Sequence, residues 1–178
     1  MIINSTELDG VYAIENRVFH DHRGTFVKTF HNELFTANGL NTDFKESFYS
    51  VSKKGVVRGM HFQNAPDDHA KLVYVTDGEI LDLIVDVRSG SPTLGRYVSL
   101  TLSAGNAKSV YIGKGFAHGF LTLTESATVV YSTTTVHSPA SDTGIRWDSF
   151  GFDWGVQQPI ISERDLSFPT LAQFAGKN

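Results

Sequence analysis

The stretch GVVRGMHFQ, Gly55 to Gln63, reads as a β-strand, yet it carries an arginine, a histidine and a glutamine among small and apolar residues. A strand that only packs a core has no use for that mixture. Histidine titrates near neutral pH and can take or give a proton. The arginine fork suits anions such as phosphates, which it binds bidentately. Three further runs raise the same question. Lys71 opens KLVYV, His118 shares a face with Phe120 and Thr122 in GFAHGFLTLT, and Tyr131, Thr133, Thr135 and His137 share a face of VVYSTTTVH. A lysine can meet a developing oxyanion, and a tyrosine is a proton donor that stays protonated at neutral pH.

Each of these residues also has an ordinary structural reading. A strand histidine is often a satisfied structural residue, Lys71 fits a solvated edge strand, and Tyr131 fits a core with its hydroxyl at the rim. Asp165, in SERD, fits a helix N-terminus. Spread over separate strands of one small domain, they read together as the lining of an enclosed polar pocket, because unpartnered buried polar groups are costly. Strict alternation puts Val57, His61 and Gln63 on one face of their strand and Arg58, Met60 and Phe62 on the other. Arg58 and His61 therefore serve one site only if Gly59 marks a bulge or bend that re-aims the strand.

The elements that must position these groups are short strands separated by turn residues. Val11–Phe19 reads as a strand, His20–Gly24 as a turn and TFVKTF as the next strand. His31–Gly39 is the one short helix, with Gly39 as its C-terminal stop. SFYSVS and VVRGMHFQ follow. Ala70–Arg88 reads as a hairpin closed by Asp77-Gly78, with Leu81, Leu83, Val85 and Val87 on a core face. Tyr97–Ile112 reads as a second hairpin, bent at Ala104–Asn106, and Gly119–Val136 as a third. Strands at roughly 8–12-residue spacing predict an all-β sandwich or barrel. The expectation is a double-sheet, cupin-like jelly roll with one or two short helices. An immunoglobulin-like sandwich is the alternative, although its Cys…Trp…Cys pattern is missing.

Composition narrows the function classes. The 178 residues suit a single domain, 1–178, with a substantial core, and apolar residues at 40% argue against disorder. The 13 Phe and 16 Gly lean towards β structure. A net charge of −4 argues against a non-specific nucleic-acid binder. The absence of Cys excludes disulfides, thiolate metal sites and a cysteine nucleophile. The N-terminal residues do not read as a signal peptide and no run approaches 18 apolar residues, so the expectation is a cytoplasmic protein without membrane contact. A cupin metal site would want a second histidine two residues from His61. Positions 59 and 63 are Gly and Gln, and only His69 and His118 remain as further ligands, so no metal site is expected. GSPTLG lacks the Lys-Ser/Thr of a phosphate-binding P-loop.

FHDHRGTF, KKGVVRGMHFQ, KLVYVTDGEILDLIVDVRSGSPTLG, GKGFAHGF and WDSFGFDW…PIISERD follow one another in the order found in the dTDP-4-dehydrorhamnose 3,5-epimerase family. The chain resembles that family over about residues 8–171. The resemblance implies a metal-independent, cofactor-free, dimeric cupin-like enzyme that epimerises carbons flanking the ketone of a nucleotide-linked 4-keto-6-deoxy sugar. By the same resemblance His61 is the base and Asp165 its dyad partner. Lys71 is the cation facing the ketone oxygen, and Tyr131 is the acid on the opposite face. Arg23 and Arg58 are diphosphate ligands, Phe19 and Phe26 aromatic walls, and His118 and Phe120 pocket lining. Ser50 and Gln63 join the substrate-binding set. An exchanged N-terminal strand would let Phe19, Arg23 and Phe26 serve the neighbouring subunit of a homodimer.

Four positions depart from the family pattern, all at its nucleotide end: Lys28 in place of Glu, Glu46 and Phe48 in place of Gln and Asn, and His137 in place of a second Tyr. They keep open a CDP-linked substrate, whose cytosine amino group Glu46 could accept, and epimerisation at C3 alone, at C5 alone, or at both. Two other classes compete: a metal-dependent cupin enzyme and a non-catalytic sugar-binding jelly roll. The related 3,4-ketoisomerases tend to carry His-Ala-His where this chain has MHFQ.

Overall fold

The structure is a computed structural model and describes residues 1–176; the last two positions of the expected 1–178 domain lie outside the described residues. Its strands are β1 (Ile2–Ser5), β2 (Val11–Glu15), β3 (Arg17–Asp21), β4 (Gly24–Lys28), β5 (Glu46–Lys53), β6 (Val57–Gln63) and β7 (Lys71–Asp77), then β8 (Glu79–Asp86), β9 (Tyr97–Ser103), β10 (Lys108–Ile112), β11 (Phe116–Thr122), β12 (Ser126–Thr133) and β13 (Asp142–Gly144). The helices are short: α1 (Asn32–Ala37), α2 (Glu163–Leu166) and α3 (Leu171–Ala175). One sheet has the order β1-β2-β10-β7-β12-β5 and a second the order β13-β6-β11-β8-β9, while β3 and β4 form a separate two-stranded hairpin. This is the expected all-β double-sheet sandwich.

Val73, Val75, Ile80, Ile84, Phe120 and Val129 fill the layer between the sheets. A second cluster, with Val57, Met60, Phe62, Leu83 and Val85, packs the outer face of the five-stranded sheet beneath Ile145 and Trp154 of the C-terminal segment. A third holds α1 in place through the fully buried Phe35. The helix stops as expected, with Gly39 at φ +72°. Strand β8 is thus buried on both faces: Leu83 and Val85 face the tail, and Ile80 and Ile84 face the other sheet.

The three expected hairpins are not hairpins. β7 pairs with β10 and β12, whereas β8 pairs with β11 and β9. The chain crosses from one sheet to the other at Asp77-Gly78. It does so again between β9 and β10 and between β11 and β12. The turn chemistry that closes a hairpin also closes a corner between stacked sheets, so the local signal does not separate them. Val11–Phe19 is likewise two strands, broken at Asn16, whose Nδ2 donates to Ala107 O at 2.8 Å. The expected turn His20–Gly24 shrinks because His20 and Asp21 pair with Thr25 and Gly24.

Gly59 does re-aim its strand. His118 pairs with His61 and Phe120 with Arg58, so Gly59 and Met60 together oppose Gly119. Gly59 has φ +127°, and a Cβ there would lie 2.6 Å from Gly119 Cα. The extra residue breaks the strict alternation. Val57, Met60 and Phe62 pack in the outer cluster, while Arg58, His61 and Gln63 reach the cavity between the sheets.

Candidate active site

That cavity measures about 280 Å³. The six-stranded sheet contributes Lys71 from β7, Tyr131 and Thr133 from β12, and Glu46, Phe48 and Ser50 from β5. The five-stranded sheet contributes Arg58, His61 and Gln63 from β6 and His118 and Phe120 from β11. His137, just past β12, closes one side. Of the residues expected in the site, only Asp165 stands behind the wall, and Phe19, Arg23 and Phe26 stand apart.

His61 Nε2 lies 2.7 Å from Asp165 Oδ1. Asp165 is buried in α2, where Ser162 caps the helix by accepting from the Asp165 N–H. Its other oxygen accepts from the Gly59 N–H at 3.0 Å, so the bulge that aims His61 also anchors its partner. Burial would raise the Asp165 carboxyl. The His61 hydrogen bond and charge, with the Gly59 and Ser162 contacts, outweigh it and hold the group below its ordinary value. A carboxylate accepting from Nε2–H leaves Nδ1 as the basic nitrogen. The Phe168 ring stands edge-on to His61 at 5.7 Å. Arg164 lies 5.1 Å over that ring and donates to Asp142 Oδ2 at 2.6 Å.

Lys71 is buried, and among the described residues its ammonium makes no hydrogen bond or ion pair. Burial pulls it down to about 8, against the charges of Asp82 and Asp142. A desolvated, unpaired cation facing a cavity is a ready partner for an anionic oxygen. Asp82, fully buried on β8, lies 2.7 Å from His118 Nε2 and fixes that ring. Burial lowers His118 despite the Asp82 charge and hydrogen bond, which keeps the ring neutral and leaves Asp82 as the interior counter-charge to Lys71.

Tyr131 stacks on Phe48 at 4.9 Å and 18°, meets His118 edge-on at 6.1 Å, and places its hydroxyl 3.4 Å from Ser50 Oγ. Burial raises its phenol well above the ordinary value, with the Ser50 contact opposing, so Tyr131 is a protonated donor. Arg58 donates Nε to Ser52 Oγ at 2.8 Å and Nη2 to Val51 O at 3.4 Å, which leaves Nη1 without a partner among the described residues. Glu46 Oε2 accepts from the His137 N–H at 3.0 Å. Gln63 lines the cavity, but its amide is committed to backbone: Nε2 donates to Asp67 O at 2.7 Å and Oε1 accepts from Ser138 N–H at 2.8 Å.

Phe19 and Phe26 are cross-strand partners on the β3–β4 hairpin, with rings 6.0 Å apart, and Arg23 at its tip is paired with Asp21 at 2.6 Å. The fold does not bring them to the cavity within this chain. Sequence reasoning missed Asp82, Asp142, Arg164 and Phe168, and considered His69 only as a metal ligand. Only Asp82 announced itself, as a carboxylate inside the apolar run EILDLIVD. His69, with burial pushing it down to about 3, lines the cavity as a neutral ring. Among the described residues no three His, Asp or Glu groups are placed to hold a metal ion, and His61 and His118 each turn Nε2 to a carboxylate. The residues therefore do not fit the metal centre common in cupins.

The arrangement can remove a proton beside a carbonyl, meet the resulting enolate oxygen with a cation, and return a proton from a second wall. A family model described as dTDP-4-dehydrorhamnose 3,5-epimerase matches residues 5–173. A protein of that name from Shigella flexneri is 39% identical over 170 residues, covering 94% of each chain. The Legionella pneumophila dTDP-6-deoxy-D-glucose-3,5-epimerase, solved with dTDP-4-keto-L-rhamnose, superposes with a TM-score of 0.93 at 34% identity, covering 99% of this chain and 95% of that one. A 3′-monoepimerase from Streptomyces bikiniensis, solved with dTDP-quinovose, gives 0.90 at 32% identity, covering 95% and 87%.

Proposed function

We propose a function from one premise: the chain belongs to the dTDP-4-dehydrorhamnose 3,5-epimerase family. It is an isomerase that epimerises a dTDP-linked 4-keto-6-deoxyhexose in deoxysugar biosynthesis. The observation that carries the site assignment is the His61–Asp165 contact of 2.7 Å, in a cavity that also holds the unpaired Lys71 ammonium and the Tyr131 phenol.

His61 Nδ1 takes the proton from a carbon beside the C4 ketone, and the C–H electron pair becomes the enolate. Asp165 accepts from Nε2–H and stabilises the imidazolium. Lys71 balances the charge on the C4 oxygen, with His118 beside it oriented by Asp82 and kept neutral by burial. One preorganised donor at a developing oxyanion is worth about 10²–10³ in rate. Tyr131 gives its phenolic proton to the opposite face of the carbon. The resulting phenolate regains a proton from water, and the imidazolium returns one. Arg58 offers the remaining N–H groups of its guanidinium to the diphosphate.

The names of the relatives favour thymidine over cytidine as the nucleoside. We read Phe19, Arg23 and Phe26 as serving the cavity of a second copy in a homodimer. The separate hairpin and the exposure of both rings support this. Light scattering at micromolar concentration should return twice the chain mass. Proton NMR in deuterium oxide with dTDP-4-keto-6-deoxyglucose tests the activity: the C3 or C5 proton signal should vanish and a product of inverted configuration should form. A silent spectrum with this substrate would overturn the assignment.

A further inference from the structure

Inversion needs two separate events, removal of a proton on one face and delivery on the other. Only the second depends on where the Tyr131 hydroxyl sits. That position is set by three neighbours. Ser50 Oγ touches the hydroxyl at 3.4 Å, His118 meets the Tyr131 ring edge-on with centroids 6.1 Å apart, and Phe48 lies flat against the ring at 4.9 Å and 18°. Phe48 is the direct cross-strand partner of Tyr131, so the stack is built into the register of β5 on β12. β5 is the edge strand of its sheet, and Phe48 is 47% exposed. It adds little to the core. Its one aromatic contact among the described residues is with Tyr131.

His61 is held independently, by Asp165 and by Phe168, whereas Phe48 stacks on Tyr131. Proton removal and proton return are thus supported by different residues, Asp165 of α2 and Phe168 after it for the base and Phe48 of β5 for the acid. A phenol pinned by a stacked neighbour addresses one position above the sugar ring. C3 and C5 lie on opposite sides of the ketone, so the pinning bears on each carbon separately.

We propose that Phe48 is the positioning residue for Tyr131, and that its stack sets how often an enolate formed at C3 or at C5 is reprotonated with inversion rather than returned to its starting configuration. The proposal rests on the epimerase reading above. Without the stack the phenol swings away from the opposite face. His61 still takes the C–H proton and hands back a solvent-derived one to the same face, so exchange continues and inversion fails.

The test follows deuterium entry and product configuration separately at C3 and C5, by NMR in deuterium oxide with dTDP-4-keto-6-deoxyglucose. In Phe48→Ala, exchange should stay within about threefold of wild type at each carbon. The ratio of inversion to exchange should fall about 5- to 10-fold at one or both, the scale of an aromatic pair. Phe48→Tyr keeps the stack and should keep the wild-type ratio, whereas Phe48→Leu keeps bulk without stacking and should resemble Phe48→Ala. An unchanged ratio in Phe48→Ala with a raised KM would overturn the proposal and make Phe48 a wall for the nucleoside. Exchange and inversion falling together, with a lowered melting temperature, would overturn it in favour of a packing role. Absence of exchange in the wild-type protein would instead sink the epimerase reading itself.

Discussion

Replacing Asp165 by Asn tests the dyad with almost no change in volume. Asp165 accepts two hydrogen bonds, from His61 Nε2–H at 2.7 Å and from Gly59 N–H at 3.0 Å. Asparagine has one acceptor oxygen and one donor nitrogen. If its oxygen keeps the Gly59 N–H, its amino group donates to His61 Nε2. The imidazole hydrogen is then forced onto Nδ1, and the base has lost its lone pair. If its oxygen keeps His61, two donors oppose each other at Gly59. The first arrangement satisfies every group and is the stable one. A histidine held in the wrong tautomer, with no carboxylate to support its protonated form, loses roughly 10³–10⁴ in rate, about 4–5.5 kcal/mol of barrier. Nothing that grips the diphosphate changes. The expected outcome is a kcat for deuterium exchange lower by that factor with KM within about threefold. His61→Asn should cost a similar amount, and the double variant little more than either single one, because the pair acts as a unit. An Asp165→Asn enzyme retaining more than a tenth of wild-type exchange would refute the dyad, as would fully additive single effects.

Lys71 must be charged to meet the enolate, and burial holds it at about 8; activity should decline as pH rises through that value, and Lys71→Met should abolish the alkaline limb while lowering kcat about 10²–10³-fold. Tyr131→Phe should keep deuterium exchange and lose inversion, read from product configuration after complete exchange. Gly59→Ala should destabilise the fold by about 2–4 kcal/mol, seen as a lower urea midpoint, because the new Cβ meets Gly119 Cα at 2.6 Å and His118 O at 2.8 Å at a φ of +127°. The Asp165 carboxyl sits below its ordinary value in the fold. Its stabilising contribution is therefore complete above the unfolded value of about 4 and lost as pH falls through the folded one, so Asp165→Asn should flatten the acid side of a plot of melting temperature against pH.

The sequence made the strands legible because apolar runs and turn residues are local signals. It hid which strands pair. Asp77-Gly78 between two apolar runs looks the same whether the chain folds back within a sheet or rounds a corner to the next. Gly59 was readable as a bulge because a glycine interrupting a strand beside polar residues has few other uses. His61, Lys71, His118 and Tyr131 were readable because each breaks the apolar pattern of its own strand. Arg164, Asp142 and Phe168 were not. They sit in or beside short irregular segments where polar and aromatic residues are unremarkable, and only the tail folding over β6 gives them a place at the site. Phe48 drew notice as an unusual residue at the nucleotide end, but its stack on Tyr131 follows from a register no local pattern encodes. Gln63 shows the converse: a residue that suits a binding site by type, yet holds the loops at residues 67 and 136–138.

The corners at Asp77-Gly78, Ala104–Ala107 and Leu123–Glu125 place sequence neighbours on opposite sheets, so apart from β1–β2 and β8–β9 each sheet is knitted from strands distant along the chain. Loop closure must precede most of the stabilising contacts, which puts this fold at the slow, high-contact-order end of folding rates. The base comes from one sheet and the cation and acid from the other. An intermediate with one sheet formed has half a site and no turnover. Recovery of exchange activity after dilution from denaturant therefore times the docking of the two sheets, which recovery of β-sheet circular dichroism does not.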